Sequence, residues 1–136
     1  MPLILVADDE AHIRSVVCAK LRSAGYRTIE VRDGEEALAA ARGYTPDLVI
    51  TDLQMPYVTG LDLCRALGAD PRLGRISVIM LTARGYRLQP EDLAGTAIRH
   101  VMSKPFSARE VLSRVQELLA ADLPEASAQG PRREAA

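Results

Sequence analysis

The chain has 136 residues, 48% hydrophobic and 26% charged, with 17 basic against 18 acidic side chains. That is enough for one domain with its own core, and a net charge of −1 gives no pull toward nucleic acid or an anionic membrane. No apolar run nears the ~20 residues that span a bilayer, and with no Trp and one Phe the core has to be aliphatic. The amino terminus, MPLILVADDE, lacks the basic start and the apolar length of a signal peptide, so the expected location is the cytoplasm.

LILVA at 3–7 is a short apolar run that stops at Asp8 and Asp9, a first strand. Over 10–24, Ile13, Val16, Val17, Leu21 and Ala24 recur at helical spacing, and Gly25 ends the helix. YRTIEV at 26–31 alternates as a half-exposed strand does. A helix over 33–42 opens on Asp33 with Glu36 three residues later, a capping-box pattern. DLVIT at 47–51 is a third strand, running into Asp52. Met55-Pro56 then turns the chain, which is expected to leave the Asp52 carboxylate accessible. GLDLCRAL at 60–67 is a short amphipathic helix, and ISVIML at 76–81 a fourth strand. After a loop at 83–89, Pro90 stands at a helical first position with Glu91 and Asp92 behind it. HVMS at 100–103 is a fifth strand. Ser107 and Glu110 form a second capping box, and Val111, Leu112, Val115, Leu118 and Leu119 stripe the last helix. Residues 124–136 are small, polar and punctuated by Pro and Gly, a disordered tail behind a domain at 1–123. Cys18 and Cys64 lack the paired spacing of a metal or redox site and read as reduced core thiols.

Strands alternating with helices predict a doubly wound α/β fold, a parallel five-stranded sheet between two helical layers. In such sheets ligands bind beyond the carboxyl ends of the strands, at the topological switch point. With the flavodoxin-like order 2-1-3-4-5, Asp8 and Asp9 from the first strand meet Asp52 from the third. Thr82 and Lys104 follow from the fourth and fifth. Each residue alone has an ordinary role as a cap, a strand terminator or a surface lysine. Together, on four strand ends, they form one site. Three close carboxylates need compensation, and Mg²⁺ is the hard cation that takes a few of them. Three aspartates, one Mg²⁺ and Lys104 sum to zero charge. A phosphoryl group fits such a site, with Asp52 as in-line nucleophile and Thr82 as hydroxyl donor.

The set Asp8-Asp9, Asp52 within DLQMPYVTG, LTA at 81–83 and KPF at 104–106 resembles the receiver domain of two-component response regulators, over roughly residues 3–121. The resemblance implies a (βα)₅ fold and Asp52 as phosphoacceptor. It implies Mg²⁺ held by Asp9 and Asp52 directly, Asp8 through water, and the Gln54 backbone carbonyl. Thr82 and Lys104 would close on the phosphoryl group, and the Lys104–Pro105 bond would be cis. Gln54 and Arg84 would tune hydrolysis, with Ala83 between Thr82 and Arg84. Where the family often has an aromatic residue, three before the lysine, this chain has Val101, and Ala97-Ile98 replace a usual Gly-Ala pair. His100 reads as a structural or partner-surface residue.

The implied donor is a sensor histidine kinase or a phosphotransfer protein. The implied output is a face built by the fourth helix, fifth strand and fifth helix, which binds a downstream protein. A homodimer through that face is an open option, and no direct contact with nucleic acid or membrane is expected. The chain would be a phosphoacceptor rather than an enzyme. Two alternatives stay open: a docking module that keeps the fold without phosphorylation, and an aspartyl-phosphate phosphohydrolase.

Overall fold

The computed structural model describes residues 1–121, so the tail expected at 124–136 lies outside the described residues. The elements run β1 (Leu3–Ala7), α1 (Ala11–Ser23), β2 (Arg27–Val31), α2 (Gly34–Tyr44), β3 (Leu48–Asp52), α3 (Gly60–Ala69), β4 (Ser77–Thr82), α4 (Pro90–Leu93), β5 (Ile98–Ser103) and α5 (Ala108–Ala121). The strands form one parallel sheet in the order β2-β1-β3-β4-β5, the predicted doubly wound architecture.

Strand periodicity divides the core in two. Leu5, Ala7, Val49, Val78 and Met80 pack on one face with Ala37, Ala41, Leu63, Cys64 and Leu67 of α2 and α3. Ile4, Val6, Leu48, Ile50, Ile79 and Leu81 pack on the other with Val17, Cys18, Leu21, Val111, Val115 and Leu118 of α1 and α5. Each large aliphatic chain so buried contributes about 1.5–3 kcal/mol. β1, β3 and β4 are therefore buried almost throughout and mostly apolar, with Thr51, Asp52, Ser77 and Thr82 as their polar members, while the edge strand β5 alternates half-buried with exposed residues. Both cysteines are free and buried, and burial pushes their thiols to about 11 for Cys18 and about 12 for Cys64, unreactive at neutral pH.

Three local expectations need correction, and one helix that starts as expected is short. Val16 is 43% exposed; the buried stripe of α1 is Val17, Cys18 and Leu21. Asp33 caps α2 by accepting from Glu36 N, but the Glu36 carboxylate turns back to Arg32 N, one residue before a capping box would place it. α4 is a single turn. Pro90 starts it, and it stops where Gly95 takes a positive φ of 74° and the Thr96 hydroxyl bonds the Leu93 carbonyl at 2.7 Å. The last correction concerns Asp52, which is the final residue of β3 and is buried, at 3% exposure, rather than accessible. At α5 the reciprocal pair of Ser107 and Glu110 is present as expected, at 3.0 and 3.3 Å.

Register positions the strand ends. Ala7 lies opposite Thr51, so Asp8 emerges beside Asp52. Asp52 lies opposite Leu81, and Thr82 opposite Ser103, so Lys104 follows on the far side of Thr82.

Candidate functional site

The acidic pocket is built from strand ends held by backbone bonds. Asp8 N donates to Val31 O, Asp8 Oδ1 accepts from Glu10 N at 2.9 Å, and Arg14 Nη1 donates to the Asp8 carbonyl at 2.7 Å. Lys104 N donates to Thr82 O at 2.8 Å, and the Lys104–Pro105 peptide is cis. Gly60 N donates to Leu53 O, bringing the start of α3 so close that a Cβ on Gly60 would overlap the Asp52 carbonyl oxygen.

Within this frame Asp8 and Asp52 are buried and Asp9 is exposed, and one carboxylate oxygen of each lies within 4.8 Å of the others. Lys104 Nζ sits 3.4 Å from Asp8 Oδ2, 3.4 Å from Asp52 Oδ1 and 2.8 Å from Glu10 Oε1. One ammonium thus serves three carboxylates. Burial, and then the neighbouring Asp8 charge, push Asp52 up to about 6 against the pull of Lys104. Burial likewise raises Asp8, despite Lys104. Lys104 itself loses to burial but gains more from Glu10, Asp52 and Asp8 together, and ends raised, so it stays charged.

The donor set fits a hard divalent cation. Asp8 Oδ2 is a buried oxygen with no hydrogen-bond partner among the described residues, and a single lysine leaves the carboxylates in excess. Asp8, Asp9 and Asp52 are the residues placed to hold such an ion.

Thr82 is fully buried, its hydroxyl 3.5 Å from the Met102 carbonyl. Beyond it a groove of about 290 Å³ is lined by Thr82, Tyr86, Leu88, Leu93, Val101 and Ser103. Val101 is 42% exposed on this groove, and Ala83 is half-buried beside it in sequence. Gln54 and Arg84 are exposed, in the turns after β3 and β4, and Arg84 makes no ion pair among the described residues. His100 is half-buried on β5, with Nε2 3.3 Å from Glu117 Oε1, away from the acidic pocket.

Sequence reasoning missed Glu10. The zero-charge sum over three aspartates, Mg²⁺ and Lys104 leaves it out, and including it turns that sum negative. Its signal was the unbroken acidic run Asp8-Asp9-Glu10.

The model of the response regulator receiver domain matches residues 4–116. Among curated relatives, the DNA-binding dual master transcriptional regulator RpaA of Synechocystis sp. is 37% identical over 119 residues, which are 88% of this chain and 49% of the relative. The phosphate regulon transcriptional regulatory protein PhoB of Rhizobium meliloti is 34% identical over 92% of this chain and 55% of its own length. The chain spans about half the length of the curated relatives it matches. Because these relatives are named as transcriptional regulators, they lend no support to the expected absence of nucleic-acid contact.

Among solved structures, the chemotaxis response regulator CheY4 of Vibrio cholerae superposes with a TM-score of 0.79 at 29% identity, over 87% of this chain and 98% of that one. The receiver domain of a Pseudomonas aeruginosa sensor histidine kinase, solved with a magnesium ion in its active-site cleft, gives 0.78 at 28% identity, over 88% and 98%. With the acidic pocket on the switch point of a 2-1-3-4-5 sheet and the family match running from β1 into α5, the chain belongs to the response regulator receiver domains of two-component systems.

Proposed function

We propose that this chain is a phosphoacceptor switch: Asp52 takes a phosphoryl group from the phosphohistidine of a sensor kinase or phosphotransfer protein. The observation that carries this is Lys104 Nζ, 3.4 Å from both the Asp8 and the Asp52 carboxylate at the strand ends. An Asp52 Oδ attacks phosphorus in line, the O–P bond forms as the P–N bond of the donor breaks, and the imidazole leaves. Titrating at about 6, Asp52 is mostly ionised at neutral pH and ready as nucleophile. Lys104 neutralises phosphoryl oxygens, and the Thr82 hydroxyl donates to one of them once it leaves Met102.

Asp9 and Asp52 would hold Mg²⁺ directly, with Asp8 through water and the Gln54 carbonyl as a further ligand. The ion would supply positive charge to the phosphoryl oxygens. Arg84, without an ion pair among the described residues, pairs with the phosphoryl group and slows its hydrolysis, and Gln54 tunes water access from the other side. The output is a shift of the face made by α4, β5 and α5, around Val101, recognised by a downstream protein or a second copy. Pro105 fixes the backbone beside Lys104. No described helix is long and apolar enough to cross a membrane, and the reading keeps the expected cytoplasmic setting.

The test is intact mass after incubation with Mg²⁺ and a small acyl-phosphate donor, for wild type and Asp52→Asn. One Mg²⁺-dependent phosphoryl adduct, absent in the variant, is the expected result. No adduct, or one that survives the substitution, would favour the docking-module reading. Sustained release of phosphate from an ester would favour the phosphohydrolase.

A further inference from the structure

We infer that Glu10 is a positioning residue for Lys104: it draws the ammonium toward solvent and off the metal position until a phosphoryl group recruits it. The inference rests on the phosphoacceptor reading above. Its first support is distance. Lys104 Nζ is 2.8 Å from Glu10 Oε1 but 3.4 Å from each of the two buried aspartates, so the ammonium leans toward the most exposed of its three partners.

The second support is what Glu10 does not do. It stands at the N-cap of α1, where a short Ser, Thr, Asp or Asn would bond the exposed backbone amides, and its side chain makes no cap bond. Its carboxylate is turned across the pocket to Lys104, 94 residues along the chain. A residue that caps nothing and is 60% exposed at its side chain adds little to the fold.

The chemistry follows from competition. Among the described residues Asp8 Oδ2 has no hydrogen-bond partner, and an untethered Lys104, now 3.4 Å from it and from Asp52, would close further on both. A divalent cation would then have to displace the lysine. Holding Lys104 with Glu10 leaves the buried oxygens to the metal. The same tether delays the lysine when a phosphoryl group arrives, because the bond to Glu10 has to break first.

Glu10 therefore acts with opposite sign on two steps. In Glu10→Gln, Mg²⁺ binding measured by calorimetry weakens about threefold, the scale of one partly exposed ion pair. Phosphoryl uptake from a small acyl-phosphate donor at saturating Mg²⁺ becomes faster by about the same factor. Both changes vanish when Glu10→Gln is made in a Lys104→Met background. Equal weakening of Mg²⁺ binding in that background would show Glu10 acting by its charge alone and would overturn the inference. So would a variant with unchanged Mg²⁺ affinity, or one slowed in both steps. Wild type that binds Mg²⁺ and forms the Asp52 adduct while Glu10→Gln changes nothing defeats this inference alone. Wild type that does neither defeats the phosphoacceptor reading, and this inference with it.

Discussion

Asp52→Asn should stabilise the metal-free protein at pH 8, and the gain should disappear as the pH falls. The Asp52 carboxyl is buried and titrates at about 6, against 3.8 for an ordinary aspartate. Ionising it in the folded state at pH 8 therefore costs about 3 kcal/mol. A raised carboxyl means that the folded state binds the proton more tightly than the unfolded chain, so its penalty grows as pH rises from about 4 to 6 and is full above that. At pH 4.5 about 1 kcal/mol of it remains. The asparagine amide removes the charge but buries donors that need partners, which offsets about 1–2 kcal/mol at either pH. The advantage of the variant over wild type should thus be about 2 kcal/mol larger at pH 8 than at pH 4.5. Urea unfolding in EDTA would read this as a change of about 1 M in the difference between the two midpoints. Other carboxylates titrate in the same window, and the wild-type-minus-variant difference removes them. A difference independent of pH, or larger at pH 4.5, would show that Asp52 does not bear the burial cost assigned to it.

Mg²⁺ at 100 times its dissociation constant should stabilise wild type by about 2.7 kcal/mol in the same assay, and Asp9→Asn should lose most of that gain. Gly60→Ala should cost about 1–3 kcal/mol by urea unfolding, since its Cβ has no room against the Asp52 carbonyl. Thr45, a β-branched residue with φ 46° at the C-cap of α2, is strained there, and Thr45→Asn should gain about 0.5 kcal/mol by thermal unfolding. Arg84→Ala should shorten the lifetime of the Asp52 adduct followed by mass, and an unchanged lifetime would remove Arg84 from the site.

The central strands were plain in the sequence because β1, β3 and β4 are covered on both faces and are mostly apolar, and the return of polar residues marked where each strand ends. Strand ends are where Asp8, Asp52, Thr82 and Lys104 stand, so most of the pocket came with the strands. What the pattern hid was burial that depends on a third dimension. Val16 keeps helical spacing yet faces solvent, because α1 lies on the sheet along the line of Val17 and Leu21. The Asp52 carboxylate reads as a surface acid after an apolar run, but the residue is only 3% exposed, with the start of α3 packed against its backbone carbonyl. Glu10 escaped notice because its partner is on the last strand's exit, and no local spacing connects the two. The one-turn α4 was only half visible: Pro90 announced its start, while Gly95 and the Thr96 hydroxyl that end it look like ordinary loop residues.

That short α4 changes how force can travel from the pocket. A long helix behaves as a rod, and a push at one end tilts all of it. Between Thr82 and Ile98 this chain has one turn held by Pro90 and Gly95, with isolated backbone bonds such as Tyr86 N to Ala83 O and Thr96 N to Leu93 O around it. Such a segment has no lever arm. It responds to a displacement at Thr82 by redistributing torsions locally, and amide hydrogen exchange over 83–97 would register the event more clearly than any rotation of a helix axis. A partner reading this face would discriminate between two loop contours, drawn in Tyr86, Leu88 and Val101, rather than between two orientations of a rod.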